Sequence, residues 1–163
     1  MTLILKLARV SPSRFSASEP VPWPAYKTAG AAGMDLYADV DEGGVTVPPG
    51  CVVAIPTGLK MEIPAGYEGQ VRPRGGLAFK SSISVINSPG TVDADFRGEV
   101  MIGLVNHGRE PFQVRRGDRV AQLVICPVAL PEVLHVQETE LTDTVRGAGA
   151  FGSTGINDAT AKR

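Results

Sequence analysis

Clusters of proline and glycine punctuate the middle of this chain so often that no long regular element fits between them. Pro48-Pro49-Gly50, Pro56-Thr57-Gly58, Pro64-Ala65-Gly66, Pro73-Arg74-Gly75-Gly76 and Pro89-Gly90 recur at spacings close to the roughly 8–12 residues of short-strand proteins. Proline removes a backbone donor and glycine supplies turn conformations, so each cluster closes one element and starts another. The intervening segments 44–47, 51–55, 83–86, 99–105, 112–115 and 120–126 are rich in β-branched residues and are read as strands. Asp118-Arg119-Val120-Ala121-Gln122-Leu123 is the best helical candidate, because Asp118 could cap it, but Val120, Val124 and Ile125 favour a strand there too. The rhythm predicts an all-β sandwich or barrel.

At 163 residues the chain has the length of one domain and can bury a core without a metal or disulfide staple. Residues 11–32, with Pro12, Pro20, Pro22 and Pro24, are expected to form a surface connection in which Trp23 is a packing anchor. A β domain over 1–145 and a glycine-rich, mobile arm over 146–163 are the expected organisation, without internal repeats. Lys and Arg number 16 against 17 Asp and Glu, so no broad basic face is available and a nucleic-acid partner is not expected. The longest apolar run, 120–128, is broken by Gln122 and Pro127 and falls short of the ~20 residues that span a bilayer, so no membrane association is expected. The N-terminus shows no signal-peptide pattern, and with Cys51 and Cys126 as the two cysteines a reducing cytoplasm is the expected setting.

Two nucleotide-binding patterns fail on context. Gly147-Ala148-Gly149-Ala150-Phe151-Gly152 fits G-x-G-x-x-G, but it lacks the following helix of a βαβ unit, leaving only backbone N–H groups that could lie on a phosphate. Residues 75–81 lack the glycine that precedes the lysine in a P-loop. His107 and His135 are the two histidines and cannot, with two lone cysteines, build a zinc site or a nucleophile triad. Any metal is expected to be a hard ion held through carboxylate, water and substrate oxygens. An acidic pair, Asp93 and Asp95, follows a Pro-Gly turn; if extended, both carboxylates point one way and Phe96 the other. Arginine and glycine gather in three other places, 72–76, 115–118 and 146–147, where a guanidinium fork adjoins backbone that an anion can approach. Turn-rich surface loops use the same residues, so spacing alone leaves both readings open.

Five segments together resemble the trimeric dUTPase family. They are Ala32-Gly33-Met34-Asp35-Leu36-Tyr37-Ala38, Arg72-Pro73-Arg74-Gly75-Gly76-Leu77-Ala78, Asn87-Ser88-Pro89-Gly90-Thr91-Val92-Asp93-Ala94-Asp95-Phe96-Arg97-Gly98, Arg116-Gly117-Asp118-Arg119-Val120-Ala121-Gln122-Leu123 and Arg146-Gly147-Ala148-Gly149-Ala150-Phe151-Gly152-Ser153-Thr154-Gly155. They occur in the family's order and spacing, from residue 32 to 155. The resemblance implies a jelly-roll-like β fold, a homotrimer with active sites at subunit interfaces, and Mg²⁺-assisted cleavage of dUTP to dUMP and pyrophosphate. Such an activity would limit uracil incorporation into DNA and supply dUMP for dTMP synthesis.

Carried over by position, Asp93 is implied to be the base that activates the water attacking the α-phosphorus, and Asp35 to support the metal through water. Arg74 and Arg146 are implied to grip the phosphates with Gln122, beside the backbone of Gly75 and Gly76. Asn87, Thr91 and Val92 are implied to read uracil mostly through backbone groups, with Phe96 under the deoxyribose. Phe151 and Gly152 would close the arm over the base, with Ser153 and Thr154 near the terminal phosphate.

Three positions depart from the family pattern. Gly75 stands where serine is usual, which predicts reduced turnover, because loss of one positioned donor can cost ~10²–10³ in rate. Phe96 replaces tyrosine, with little loss expected, and Ala150 replaces a glycine, which would strain the arm if that position needs φ > 0. The rival readings are a dCTP deaminase-like enzyme, whose signature segments are not seen, and a non-catalytic dUTP-binding or interaction module of the same fold.

Overall fold

The computed structural model describes residues 2–10 and 19–151. Its strands are β1 (Lys6–Arg9), β2 (Met34–Tyr37), β3 (Val45–Val47), β4 (Val52–Pro56), β5 (Leu59–Glu62), β6 (Tyr67–Arg72), β7 (Ile83–Val85), β8 (Gly90–Val92), β9 (Met101–Asn106), β10 (Phe112–Val114) and β11 (Arg119–Pro127). All pair antiparallel, in a four-stranded sheet β2-β11-β6-β8, a three-stranded sheet β4-β9-β7 and two ribbons, β1-β5 and β10-β3. The fold is all-β and jelly-roll-like, as the turn rhythm and the resemblance led one to expect.

Alternation along the strands builds the core. On β9, Ile102 and Leu104 are fully buried while Met101 is exposed. Leu36 of β2, Val71 of β6, Val92 of β8 and Leu123 of β11 join them with Ile55 of β4, Ile83 and Val85 of β7 in one apolar cluster. The turn between β4 and β5 shows why its glycine is fixed. Gly58 has φ +65°, and a Cβ there would lie 2.3 Å from Asp39 Oδ2. Asp39 is itself paired with Arg116, whose guanidinium also bonds the carbonyls of Val40 and Glu19. That clasp holds the start of the described connection 19–32, which contains no strand or helix. Trp23 there is half-exposed, with the Arg9 guanidinium 4.0 Å from its ring centroid.

The segment 118–123 is strand from Arg119 onward, as read. A short helix, α1 (Gly75–Ser81), was not expected from the sequence. It begins behind Pro73 and stops where Ser82 turns left-handed at φ 56°, its N–H bonding the Ala78 carbonyl. By contacts the chain divides into Met1–Leu130, which carries every described strand, and Pro131–Arg163. Among its described residues the latter has one 3₁₀ turn, at Glu138–Glu140, and exposes Val133, Leu134, Leu141 and Val145. Among the described residues, no helix is long and apolar enough to cross a membrane.

Candidate active site

Three strands bring the first, second and fourth motifs together. Asp35 on β2 stands opposite Gln122 on β11, which on its other side stands opposite Arg72 of β6; Arg74 follows two residues on. Arg74 Nε donates to Asp35 Oδ1 at 2.9 Å and Arg119 Nη1 donates to Asp35 Oδ2 at 3.0 Å. Arg74 Nη1 also donates to the Arg119 carbonyl at 3.0 Å, and Gln122 Nε2 to the Pro73 carbonyl at 2.9 Å. The Asp35 side chain is 12% exposed, so its charge must be compensated locally, and two guanidinium groups do so with one positive charge left over. Gly33 makes room for this arrangement: a Cβ there would lie 2.6 Å from Gln122 Oε1. Arg74 and Arg119 line a groove of about 260 Å³ with Leu77, Phe112 and Asp118.

Arg119 was not among the residues singled out from the sequence. Three positions from Gln122, it should face the opposite side of a regular strand. A bulge between Arg119 and Ala121 shifts the register, so that Arg119 pairs with Tyr37 and Gln122 with Asp35, two residues on one face of β2.

The third motif forms a separate groove, of about 420 Å³, lined by Thr91, Val92, Asp93, Phe96, Glu99, Val100 and Met101. The stretch after β8 is a turn and not extended, because Phe96 N–H bonds the Asp93 carbonyl at 3.2 Å. The alternating arrangement considered for Asp93, Asp95 and Phe96 therefore does not apply. Arg97 clasps the turn through the carbonyls of Ala94 and Phe96, and the Phe96 ring lies over Gly98, where a Cβ would be 2.5 Å from it. Asn87 is exposed in the 86–89 connection, which carries the chain from one sheet to the other, since β7 pairs with β9 and β8 with β6. Its amide packs on Gly90, where a Cβ would lie 3.0 Å from Nδ2.

The two grooves share no lining residue. Val92 pairs with Gly69, which places Asp93 at the Glu68 end of β6, while Arg74 lies beyond the Arg72 end. Strand rise over the intervening residues separates them by about 20 Å. In the unit Pro131–Arg163, Arg146 is exposed and bonds the Gly149 carbonyl through Nε at 2.9 Å, and Phe151 is fully exposed. Gly152, Ser153 and Thr154 lie outside the described residues.

A family model described as dUTPase matches residues 19–155. The chain belongs to the dUTPase family. A curated relative from Rhizobium rhizogenes, named deoxyuridine 5'-triphosphate nucleotidohydrolase, is 56% identical over 134 residues, covering 82% of this chain and 85% of its own. One of the same name from Caldanaerobacter subterraneus is 46% identical over 156 residues, 96% of this chain and all of the relative. Among solved structures, the dUTPase of Staphylococcus bacteriophage 80alpha with dUPNHPP superposes with a TM-score of 0.76 at 25% identity, over 95% of this chain and all of that one.

Seen as a dUTPase, the chain's departures acquire surroundings. Gly75 opens α1, and a Cβ added there meets nothing within 4 Å, so a serine would fit. Ala150 has no positive φ; among the described non-glycine residues Ser82 alone does. The conformation described therefore does not strain it. Among the described residues, no group of three or more His, Cys, Asp or Glu side chains forms a metal cage, and His107 and His135 are exposed.

Proposed function

We propose that this dUTPase hydrolyses dUTP to dUMP and pyrophosphate, limiting uracil incorporation into DNA and supplying dUMP for dTMP synthesis. The observation that carries the reading is the Asp35-anchored pair of arginines beside Gln122, whose free guanidinium N–H donors can take phosphate oxygens. Arg74, Gln122 and Arg146 grip the phosphate chain, with the backbone of Gly75 and Gly76 and the hydroxyls of Ser153 and Thr154. Asp93, exposed at the groove edge, accepts the proton of the water that attacks the α-phosphorus. β8 is an edge strand, and because antiparallel pairing alternates, one of its adjacent residues Thr91 and Val92 turns its backbone groups away from β6, where they can pair with a base. A uracil pattern of N–H and C=O satisfies such a site, whereas cytosine leaves groups unpaired. Phe96 packs under the deoxyribose, Asn87 orders the connection beside β8, and Phe151 covers the base.

The donor set fits Mg²⁺ held mainly by substrate phosphates. Asp35 gives one hydrogen bond's worth of each oxygen to arginine and keeps lone pairs for a metal-bound water, while no cage among the described residues competes. When bound, the ion supplies charge neutralisation on the phosphates.

The separation of Asp93 from Arg74 supports a shared site. A base on the attacking water and an arginine on the phosphates of one nucleotide must lie closer than about 20 Å, so the proposed site joins the grooves of different copies. The proposed assembly is a homotrimer in a cytoplasmic setting. Pyrophosphate release from dUTP with Mg²⁺ tests the activity, with dCTP, dTTP and UTP as controls. Release confined to dUTP and abolished by Asp93→Asn is expected. Ammonia from dCTP, or dUTP binding without release, would refute the hydrolase.

A further inference from the structure

Arg119 closes a ring around the Asp35 carboxylate. Its Nη1 holds Oδ2 at 3.0 Å, Arg74 Nε holds Oδ1 at 2.9 Å, and Arg74 Nη1 returns to the Arg119 carbonyl at 3.0 Å. A guanidinium carries five N–H donors in one plane. The ring commits two from Arg74, on different nitrogens, and so fixes that plane while three donors stay free. The orientation of Arg74 therefore depends on the orientation of Asp35, and Arg119 occupies the one Asp35 oxygen that Arg74 does not. Without the Arg119 side chain, Asp35 could rotate about its Cβ–Cγ bond and let the Arg74 fork pivot about its remaining bond to the Arg119 carbonyl. The Arg119 side chain is 46% exposed and the Arg74 bond to its carbonyl would survive truncation, so the fold has little stake in this guanidinium.

We propose that Arg119 is a positioning residue, which through Asp35 aims the free donors of Arg74 at a phosphate of the substrate. The inference rests on the reading that Arg74 grips the triphosphate. A nearby positive charge would also favour an anion without positioning anything, and the two effects separate in a double-mutant cycle.

The experiment is calorimetric binding of a non-hydrolysable imido analogue of dUTP to the full chain, its Arg119→Ala and Arg74→Ala variants, and the double variant. Arg119→Ala is expected to weaken binding about tenfold, the scale of one lost charge-assisted hydrogen bond. In the Arg74→Ala background the same change is expected to cost less than about twofold, because there is no fork left to aim. An effect in that background nearer the first factor than unity, or no effect in either, overturns the proposal. Should Arg119→Ala fail to fold, Arg119→Met keeps the apolar stem and enters the same cycle. Failure of the unmodified chain to bind the analogue would instead refute the functional reading and the inference with it.

Discussion

Gly75 is the residue at which a change of one side chain is expected to improve the enzyme. It follows Arg74, opens α1, and has empty space where a Cβ would stand. Gly75→Ser is expected to raise kcat for dUTP by about tenfold or more, a lower bound on what one added transition-state donor supplies. It should also stabilise the fold by roughly 0.5 kcal/mol by restricting the unfolded chain. Steady-state kinetics paired with urea unfolding reads both effects, and unchanged turnover would show that the backbone alone serves there. Gly33 behaves oppositely, since its missing side chain is filled by Gln122, whose Oε1 lies 2.6 Å from the would-be Cβ. Gly33→Ala is expected to displace the amide from the Pro73 carbonyl, costing about 1 kcal/mol in urea unfolding and lowering turnover. Wild-type kinetics in this variant would remove Gln122 from the phosphate site.

Elements that pack on both faces or carry a functional charge are the ones that local sequence hides. The β-branched segments at 44–47, 51–55, 83–86, 99–105, 112–115 and 120–126 each overlap a strand. β6 is masked by Gly69 and Gln70, yet Gly69 is there because a Cβ would meet Ile63 Cδ1 at 2.8 Å and Leu123 Cδ1 at 3.0 Å. β2 is masked by Asp35 at its centre, which only the arginines from two other segments make tolerable in a buried strand. α1 is masked by two opening glycines. The site followed the same logic: Asp35, Arg74 and Gln122 could be named from motif order, whereas Arg119 needed the bulge in β11, which no period-two reading contains. At the end of β9, the fully buried Asn106 donates to the carbonyls of Val47 and Glu110 and accepts from Gly108 N–H, tying β9 to β3. Asn106→Ala is expected to cost about 2–4 kcal/mol in equilibrium unfolding, because it strands buried backbone groups and not merely one contact. A loss under about 1 kcal/mol would mean that water replaces the amide.

At the scale of the whole molecule, a single copy leaves apolar surface that folding has not covered. On the outer face of the β4-β9-β7 sheet, Val52, Ala54, Ile86 and Met101 are exposed together, with the side chains of Ile86 and Val52 converging on Gly103. No charged residue interrupts β4 or β9, and contiguous patches of this kind mark contact surfaces more often than solvent faces. A second copy is the occupant that the proposed shared site calls for, since one chain holds the Asp93 and Arg74 grooves about 20 Å apart. Val52 lines neither groove, so Val52→Asp tests assembly without touching the proposed chemistry. Light scattering is expected to give three chain masses for the unmodified protein and a lower mass for the variant, with circular dichroism unchanged. Turnover of dUTP should fall with the trimer fraction and recover at high protein concentration, because a shared site is a concentration-dependent one. A dissociated variant with undiminished turnover would place the complete site within one chain and require Asp93 and Arg74 to approach each other by a rearrangement of β6 and β8.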